Sequence, residues 1–172
     1  GTVVIVVVGL VLEYKTLGVT RQPLPLVWPL AILHIMIAQL PLREILGPLE
    51  RVAVRGVLAR AVRGVPVLVL ITTGVVTYVA AQGDRAFLVF FLVLAAVGFT
   101  AAAASSADPW VWTLGLGMIA VGLMFLTPLG GPIGQYLESI PLPLVVVVLG
   151  LATCGYVVGG VRLPYRHHGS RA

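Results

Sequence analysis

The sequence is divided into long apolar stretches that contain no aspartate, glutamate, lysine or arginine. A helix of about 20 apolar residues crosses the ~30 Å hydrocarbon core of a bilayer. In the whole chain 59% of the residues are hydrophobic and 10% are charged, against ~45–50% and ~25% in an average soluble domain. The sequence therefore predicts an all-α integral membrane protein whose spans leave no room for a soluble catalytic domain. Five stretches have nearly the length of a span: 24–42, 65–81, 86–105, 110–126 and 144–161.

A shorter apolar run, Thr2–Leu12, precedes these five stretches and is followed by Glu13-Tyr14-Lys15. It has the length of a signal-peptide core, but no basic leader precedes it and no Ala-x-Ala-like site follows it. We interpret it as the end of a first span, about 2–19, that begins upstream of Gly1. The whole chain, 1–172, is then predicted to be one transmembrane domain with six spans.

The composition changes abruptly between the second and third predicted spans. Gly47-Pro48 supplies a turn, and a short surface helix is predicted over about 50–63. Arg51 and Arg55 share one face of this helix, whereas its other arginines point elsewhere. We therefore expect the helix to touch both lipid headgroups and a partner. The segment between the two spans contains five arginines: Arg43, Arg51, Arg55, Arg60 and Arg63.

Proline, glycine and aspartate predict several helix ends. Pro25 and Pro29 lie near the start of the second span, where a bent or broken beginning is expected. The polar turn Gln82-Gly83-Asp84-Arg85 joins the third and fourth spans as a helical hairpin. Asp108 before Pro109 is typical of a helix N-cap with proline at the first helical position.

The connection 128–143 is too apolar for a free loop. Proline, glycine and serine make up half of it, which disfavours one continuous helix. However, Ile133, Tyr136, Leu137 and Ile140 recur at helical spacing. We expect a re-entrant segment that contains one short helix with an apolar face and is packed against protein.

The distribution of lysine and arginine predicts the orientation. The more basic side of the membrane is cytoplasmic by this rule, so both termini are predicted to lie in the cytoplasm of a multi-pass plasma-membrane protein. Orientation also explains the net charge of +5, and no nucleic-acid partner is expected because no basic face interleaved with aromatic residues is present. One side holds Arg43, Arg51, Arg55, Arg60, Arg63, Arg162, Arg166 and Arg171, and the other holds Lys15, Arg21 and Arg85.

His34 is the one ionisable side chain expected near the bilayer centre. It is interpreted either as a proton relay or substrate contact, or as a neutral histidine hydrogen-bonded to a neighbouring helix. Thr72, Thr73 and Thr77 share a face of the third span. Their hydroxyls either bond back to the helix or line a polar path. No carboxylate lies in the middle of a span, which disfavours proton- or sodium-coupled transport.

Nothing in the sequence forms a catalytic set. His167-His168 lacks a third metal ligand, and Cys154 stands alone in an apolar run. The chain also contains no phosphate-binding glycine loop. We therefore predict no enzyme activity, no metal site and no cofactor in this chain.

Small residues in the last two spans permit close approach of helices. They include Gly115 and Gly117 in the fifth span and Gly155-x-x-x-Gly159 in the sixth. They indicate either packing within the chain or a dimer seam that uses the sixth or the first span.

Two connections, 43–63 and 128–143, complete a layout of six spans with cytoplasmic ends. This layout resembles the permease subunits of ATP-binding-cassette exporters of the second type. That family has a short cytoplasmic coupling helix between spans two and three and a re-entrant hairpin outside between spans five and six. The Val-, Ala-, Leu- and Arg-rich composition is also similar to that of actinobacterial proteins.

The resemblance implies a permease subunit of an ATP-driven exporter of lipid-like, peptide or amphipathic cargo. Because the chain has no nucleotide site, it implies a separate ATPase subunit and a second permease copy or paralogue as partners. It also implies roles for particular residues: partner docking by Arg51, Arg55 and Arg60, a substrate path along His34, Thr73 and Thr77, and a gate in which Gly130 and Gly131 form the hinge and Tyr136 and Glu138 face the outer side.

The alternative is a non-transporting structural or interaction subunit of a membrane complex. Arginines beside a span attract anionic headgroups by ~1 kcal/mol each, which requires no ATPase. The basic loop and tail would then anchor the subunit to the bilayer or to a larger complex. An intramembrane enzyme is a third interpretation and has no catalytic residues to support it.

Overall fold

The computed structural model describes residues 16–17, 24–42, 56–82, 84–104 and 108–159. Within these residues the protein is helical apart from one antiparallel pair of two-residue strands. A 3-10 turn, Leu40–Leu42, continues the first helix. The elements are β1 (Thr16–Leu17), β2 (Leu24–Pro25), α1 (Val27–Gln39), α2 (Gly56–Gln82), α3 (Arg85–Ala104), α4 (Pro109–Leu126), α5 (Gly130–Ser139) and α6 (Leu142–Gly159).

The prediction of a helical membrane protein is confirmed, whereas the number of six spans stays a prediction. Within the described residues four segments are long and apolar enough to cross a bilayer, whereas α1 is shorter. Its thirteen residues and the 3-10 turn after it together extend about 26 Å, slightly less than the hydrocarbon core. The four segments are Val57–Tyr78, Arg85–Ala104, Pro109–Leu126 and Leu142–Gly159.

The predicted first span, 2–19, falls mostly outside the described residues. Its end was predicted as helix, which is wrong for Thr16–Leu17. These two residues form β1 because their backbone pairs with Leu24–Pro25 in the antiparallel ladder.

The predicted boundary between a surface helix over 50–63 and a span over 65–81 is also wrong. α2 begins at Gly56 and continues without interruption through Pro66 to the hairpin turn. Proline removes one amide donor, and a helix can tolerate that loss where neighbours satisfy the freed carbonyl. Arg60 and Arg63 therefore belong to the same helix as the third predicted span. Arg43, Arg51 and Arg55 lie outside the described residues.

Local sequence signals mark the beginnings of three helices correctly. Pro29 lies in the first turn of α1, where an amide has no partner inside the helix, so it costs no hydrogen bond. Asp84 caps α3, since its Oδ1 accepts hydrogen bonds from the amides of Ala86 at 2.9 Å and Phe87 at 3.4 Å. Asp108 occupies the N-cap position of α4, with proline directly after it, but its side chain makes no capping hydrogen bond to the helix.

α3 lies at the centre of the bundle and α6 at its edge. Of the span-length segments, α3 is 61% buried and α6 11%. α3 contacts α1, α2, α4, α5 and α6, while α1 packs between α2, α3 and α4. The indole of Trp28 in α1 joins these layers, because its ring centroid lies 5.2 Å from Phe87, 4.9 Å from Phe90 and 5.6 Å from Phe125. These rings form an aromatic cluster between α1, α3 and α4, and it is part of a larger hydrophobic core to which α2 and α6 also contribute.

Candidate functional site

His34 lies on the buried side of α1, where α1 packs against α2. Its Nε2–H donates a hydrogen bond to the carbonyl oxygen of Leu70 at 3.1 Å. This bond places a proton on Nε2 and leaves Nδ1 as an acceptor in the neutral ring. A Cβ on Gly74, one turn further along α2, would lie 2.8 Å from Nε2. A glycine at that position therefore permits the close approach of the two helices.

Aromatic rings surround the rest of the imidazole. The ring centroid of Tyr78 lies 6.1 Å away and that of Phe91 lies 5.7 Å away. His34 is fully buried, so contact with a substrate would require α1 and α2 to separate. This geometry corresponds to the interpretation of a neutral histidine bonded to a neighbouring helix.

A second buried polar contact joins α1 to α4 and was missed by sequence reasoning. The hydroxyl of Thr113 donates to Oε1 of Gln39 at 2.7 Å, and both side chains are buried. Gly98 of α3 lies directly against the amide of Gln39. A lone amide within the apolar stretch 24–42 was the available signal, because polar side chains in spans usually bond across helices.

The threonines of the predicted path lie on the exposed side of α2. Thr73 donates its hydroxyl to the carbonyl of Val69 at 2.8 Å, and Thr77 donates to the carbonyl of Thr73 at 2.7 Å. Thr73 is exposed, whereas His34 is buried inside the bundle, so the three predicted path residues do not line one surface. An open cavity of about 480 Å³ lies along this side of α2 and is lined by Val65, Leu68, Val69, Thr72, Thr73, Val76 and Thr77.

Arg60, predicted to dock a partner, contacts α6. Its Nη1 donates to the carbonyl oxygen of Tyr156 at 3.1 Å, and its guanidinium carbon lies 5.5 Å from the centroid of the Tyr156 ring. Tyr156 is buried and packs edge to face against Phe99, with ring centroids 5.9 Å apart. Arg60 thus connects two helices of this chain.

The predicted short helix within 128–143 is present as α5. Ile133 and Leu137 pack against the hydrophobic core, as the helical spacing predicted. Tyr136, which the same spacing placed on the apolar face, is exposed instead, so that part of the prediction is wrong. Glu138 is also exposed. α5 contacts α3 and α4. It is therefore an amphipathic helix packed on the bundle.

The two predicted hinge glycines have different surroundings. Gly130 is buried against the backbone carbonyl of Met124 in α4, and a Cβ would overlap that carbonyl. A Cβ on Gly131 would meet nothing within 4 Å. Only Gly130 is thus required for close packing.

The glycines of the last two predicted spans also have different surroundings. Gly117 packs against Ile32 of α1, with a Cβ position 3.0 Å from that side chain. For Gly115, Gly155 and Gly159 the space beside the Cβ position is open. The packing interpretation therefore holds for Gly117, and the dimer seam along α6 stays a prediction.

In the part of the chain that the structure describes, no three histidine, cysteine, aspartate or glutamate side chains form a metal-binding group. The expectation that the chain carries no cofactor stays a prediction. No protein-family model, curated protein or solved structure matches the chain.

Proposed function

We propose that the chain is the membrane-spanning permease subunit of an ATP-driven exporter that works with a separate ATPase. The observation that carries this proposal is the position of α5 in the chain and on the bundle. A permease of the second exporter type has a short outer segment between its last two spans, and α5 lies between the span-length helices α4 and α6. It packs its apolar side on the core and exposes Tyr136 and Glu138. A folded, amphipathic cap of this kind is suited to close a path.

The position of α5 at one end of the bundle agrees with an outer gate. Nη2 of Arg85, at the start of α3, donates to the carbonyl of Ile140 directly after α5 at 3.1 Å. Arg60, near the start of α2, contacts Tyr156, near the end of α6, and this contact lies at the other end of the bundle. If the more basic side is cytoplasmic, as the distribution of arginine predicts, α5 lies outside the cell.

The exposed side of α2 supports a path between two subunits. The interior around Trp28 is filled with aromatic rings, whereas the cavity beside Thr73 opens outward. We propose that a second permease copy or paralogue completes the path on this side. A mostly aliphatic lining suits lipid-like or amphipathic cargo.

The experiment reverses the charge of the basic segment, residues 43–55, which precedes α2. We expect the purified wild-type chain to carry with it a protein that contains a phosphate-binding glycine loop and hydrolyses ATP. Replacing Arg51 and Arg55 by glutamate should reduce this association at least tenfold, because complementary charge selects the partner. The matched control makes the same charge change in the tail, Arg166→Glu with Arg171→Glu, and should retain the ATPase.

The Arg51→Glu, Arg55→Glu variant also distinguishes the exporter from the alternative function, a non-transporting subunit. In a non-transporting subunit anchored by its arginines, the change should weaken the binding of anionic phospholipid and should affect no protein partner. Unchanged association of a verified ATPase with the Arg51→Glu, Arg55→Glu variant would reject docking through the basic segment.

A further inference from the structure

α2 has one inward face and one outward face. Its inward side chains, among them Val67, Ile71 and Tyr78, are at most 2% exposed. Its outward face carries six exposed side chains that recur at alternating steps of four and three residues, and five of them are 58% to 63% exposed. At 3.6 residues per turn the six lie within a stripe about 80° wide. This stripe, called the α2 seam below, consists of Leu58, Val62, Val65, Val69, Thr72 and Val76.

The spacing of the α2 seam is that of two packed helices. Steps of four and three residues correspond to the a and d positions of a heptad, along which helices pair. Valine occupies all three a positions, 62, 69 and 76, and leucine occupies the first d position, 58. β-Branched residues at a with leucine at d favour two parallel strands. Leu68 and Thr73 flank the seam and line the same cavity of about 480 Å³, which side chains of a second helix can enter.

Thr72 distinguishes the seam from a face that only contacts lipid. The hydroxyls of Thr73 and Thr77 donate to carbonyls of α2 itself. Within the residues that the structure describes, the hydroxyl of Thr72 makes no hydrogen bond. Lipid tails offer a hydroxyl no partner, whereas threonines in membranes bond across helices. The seam therefore favours a helix that presents a polar side chain at the level of Thr72.

A second copy of this chain presents such a side chain. Two copies of one sequence insert with the same orientation, so a two-fold axis between them is perpendicular to the bilayer. Each seam residue then lies opposite its own counterpart, and the hydroxyl of one Thr72 can donate to that of the other. The seam is about 27 Å long and, at the ~10 Å diameter of a helix, covers about 270 Å² of each copy. This area is well below the ~800 Å² per partner of a standard stable interface, so the contact can open.

We propose that α2 packs in parallel against α2 of a second copy along the α2 seam, and that this contact is the closed state of the path between the two copies. The inference rests on the proposed exporter function, in which a second permease copy or paralogue lies beside α2. It identifies a copy of this same chain as that partner.

The pairing is tested by disulfide cross-linking in membranes, without any ATPase. The single cysteine, Cys154, is first replaced by alanine. In that background Val69→Cys should give at least ten times more product of twice the chain mass than Ile119→Cys. Ile119 is the matched control because it is 60% exposed, like Val69, but lies on α4. A yield from Val69→Cys no greater than that from Ile119→Cys, as expected if lipid or another segment covers this face, would overturn the pairing.

The hydroxyl contact is tested with Thr72→Val, which keeps the shape of the side chain. Energy transfer between labelled copies in vesicles should show a dissociation constant about threefold higher, the effect of one interhelical hydrogen bond in a membrane. Thr73→Val, which removes a hydroxyl that bonds to its own helix, should leave the constant unchanged. An equal effect of the two substitutions would overturn the arrangement of the seam.

The closed state is tested in the complex of the chain with its ATPase, reconstituted in vesicles. The disulfide at position 69 should lower ATP-dependent transfer of a fluorescent phospholipid or amphipathic peptide at least tenfold, and its reduction should restore transfer. Unchanged transfer through the cross-linked complex would overturn the closing role. If no ATPase accompanies the wild-type chain, the exporter function fails and the closing role fails with it, while cross-linking still decides the pairing.

Discussion

Replacing Trp28 by alanine should lower the free energy of unfolding by about 3–5 kcal/mol, the range for removing a large aromatic side chain from a packed core. Trp28 is 5% exposed and packs against rings of α3 and α4. The substitution leaves a cavity at the junction of three helices. Within a bilayer such packing contacts are a principal source of helix association. Unfolding in mixed micelles, followed by circular dichroism, measures the change.

Trp112→Ala is the matched control for this experiment. The side chain of Trp112 is 49% exposed on α4, and its removal should change the free energy of unfolding by less than about 1 kcal/mol, as at most surface positions. Equal destabilisation by the two substitutions would contradict the arrangement of the core.

Gly130→Ala should destabilise the packing of α5 by about 1–3 kcal/mol, the usual range for an overpacked site. The new methyl group would overlap the backbone carbonyl of Met124, which cannot move aside as a flexible side chain can. α5 must therefore shift away from α4. In the proposed exporter this shift should slow cargo movement by more than it lowers the amount of folded protein.

Gly131→Ala makes the same chemical change one residue later in the same helix. Because its methyl group meets nothing within 4 Å, it should leave stability and cargo movement close to wild type. Thermal unfolding of the purified variants gives the first comparison, and export normalised to folded protein gives the second. A larger effect of Gly131→Ala than of Gly130→Ala would contradict the packing of α5.

Features encoded by neighbouring residues were predicted from the sequence. The polar residues at 82–85 were expected to separate two helices, which end and begin at Gln82 and Arg85. The spacing of Ile133 and Leu137 gave the buried side of α5. In each case a turn, a cap or a helical period is complete within a few residues, so no information about distant parts of the chain is required.

Contacts between distant residues were not predictable in the same way. Gln39 and Thr113 are 74 positions apart, and a lone amide in a span indicates a partner without identifying it. His34 was correctly expected within an apolar helix, but its bond to the carbonyl of Leu70, which agrees with a histidine bonded to a neighbouring helix, could not be identified from the sequence. The continuity of α2 through Pro66 was missed because the arginine-rich residues and the apolar run after them were assigned to two separate helices. Arg60 lies near the start of α2 and contacts α6. This contact stabilises the first turns of α2.

If a separate ATPase drives cargo through this chain, as proposed, the transfer of cargo across a bilayer must depend on ATP. The purified chain and its associated ATPase are reconstituted in vesicles with a fluorescent phospholipid, and in parallel with a fluorescent amphipathic peptide. We expect that the transfer of at least one probe requires ATP, the ATPase and this chain, and that it falls when Gly130 but not Gly131 is replaced by alanine. If the transfer of both probes is equal with and without ATP, in a complex that hydrolyses ATP, the chain is not the permease of an ATP-driven exporter.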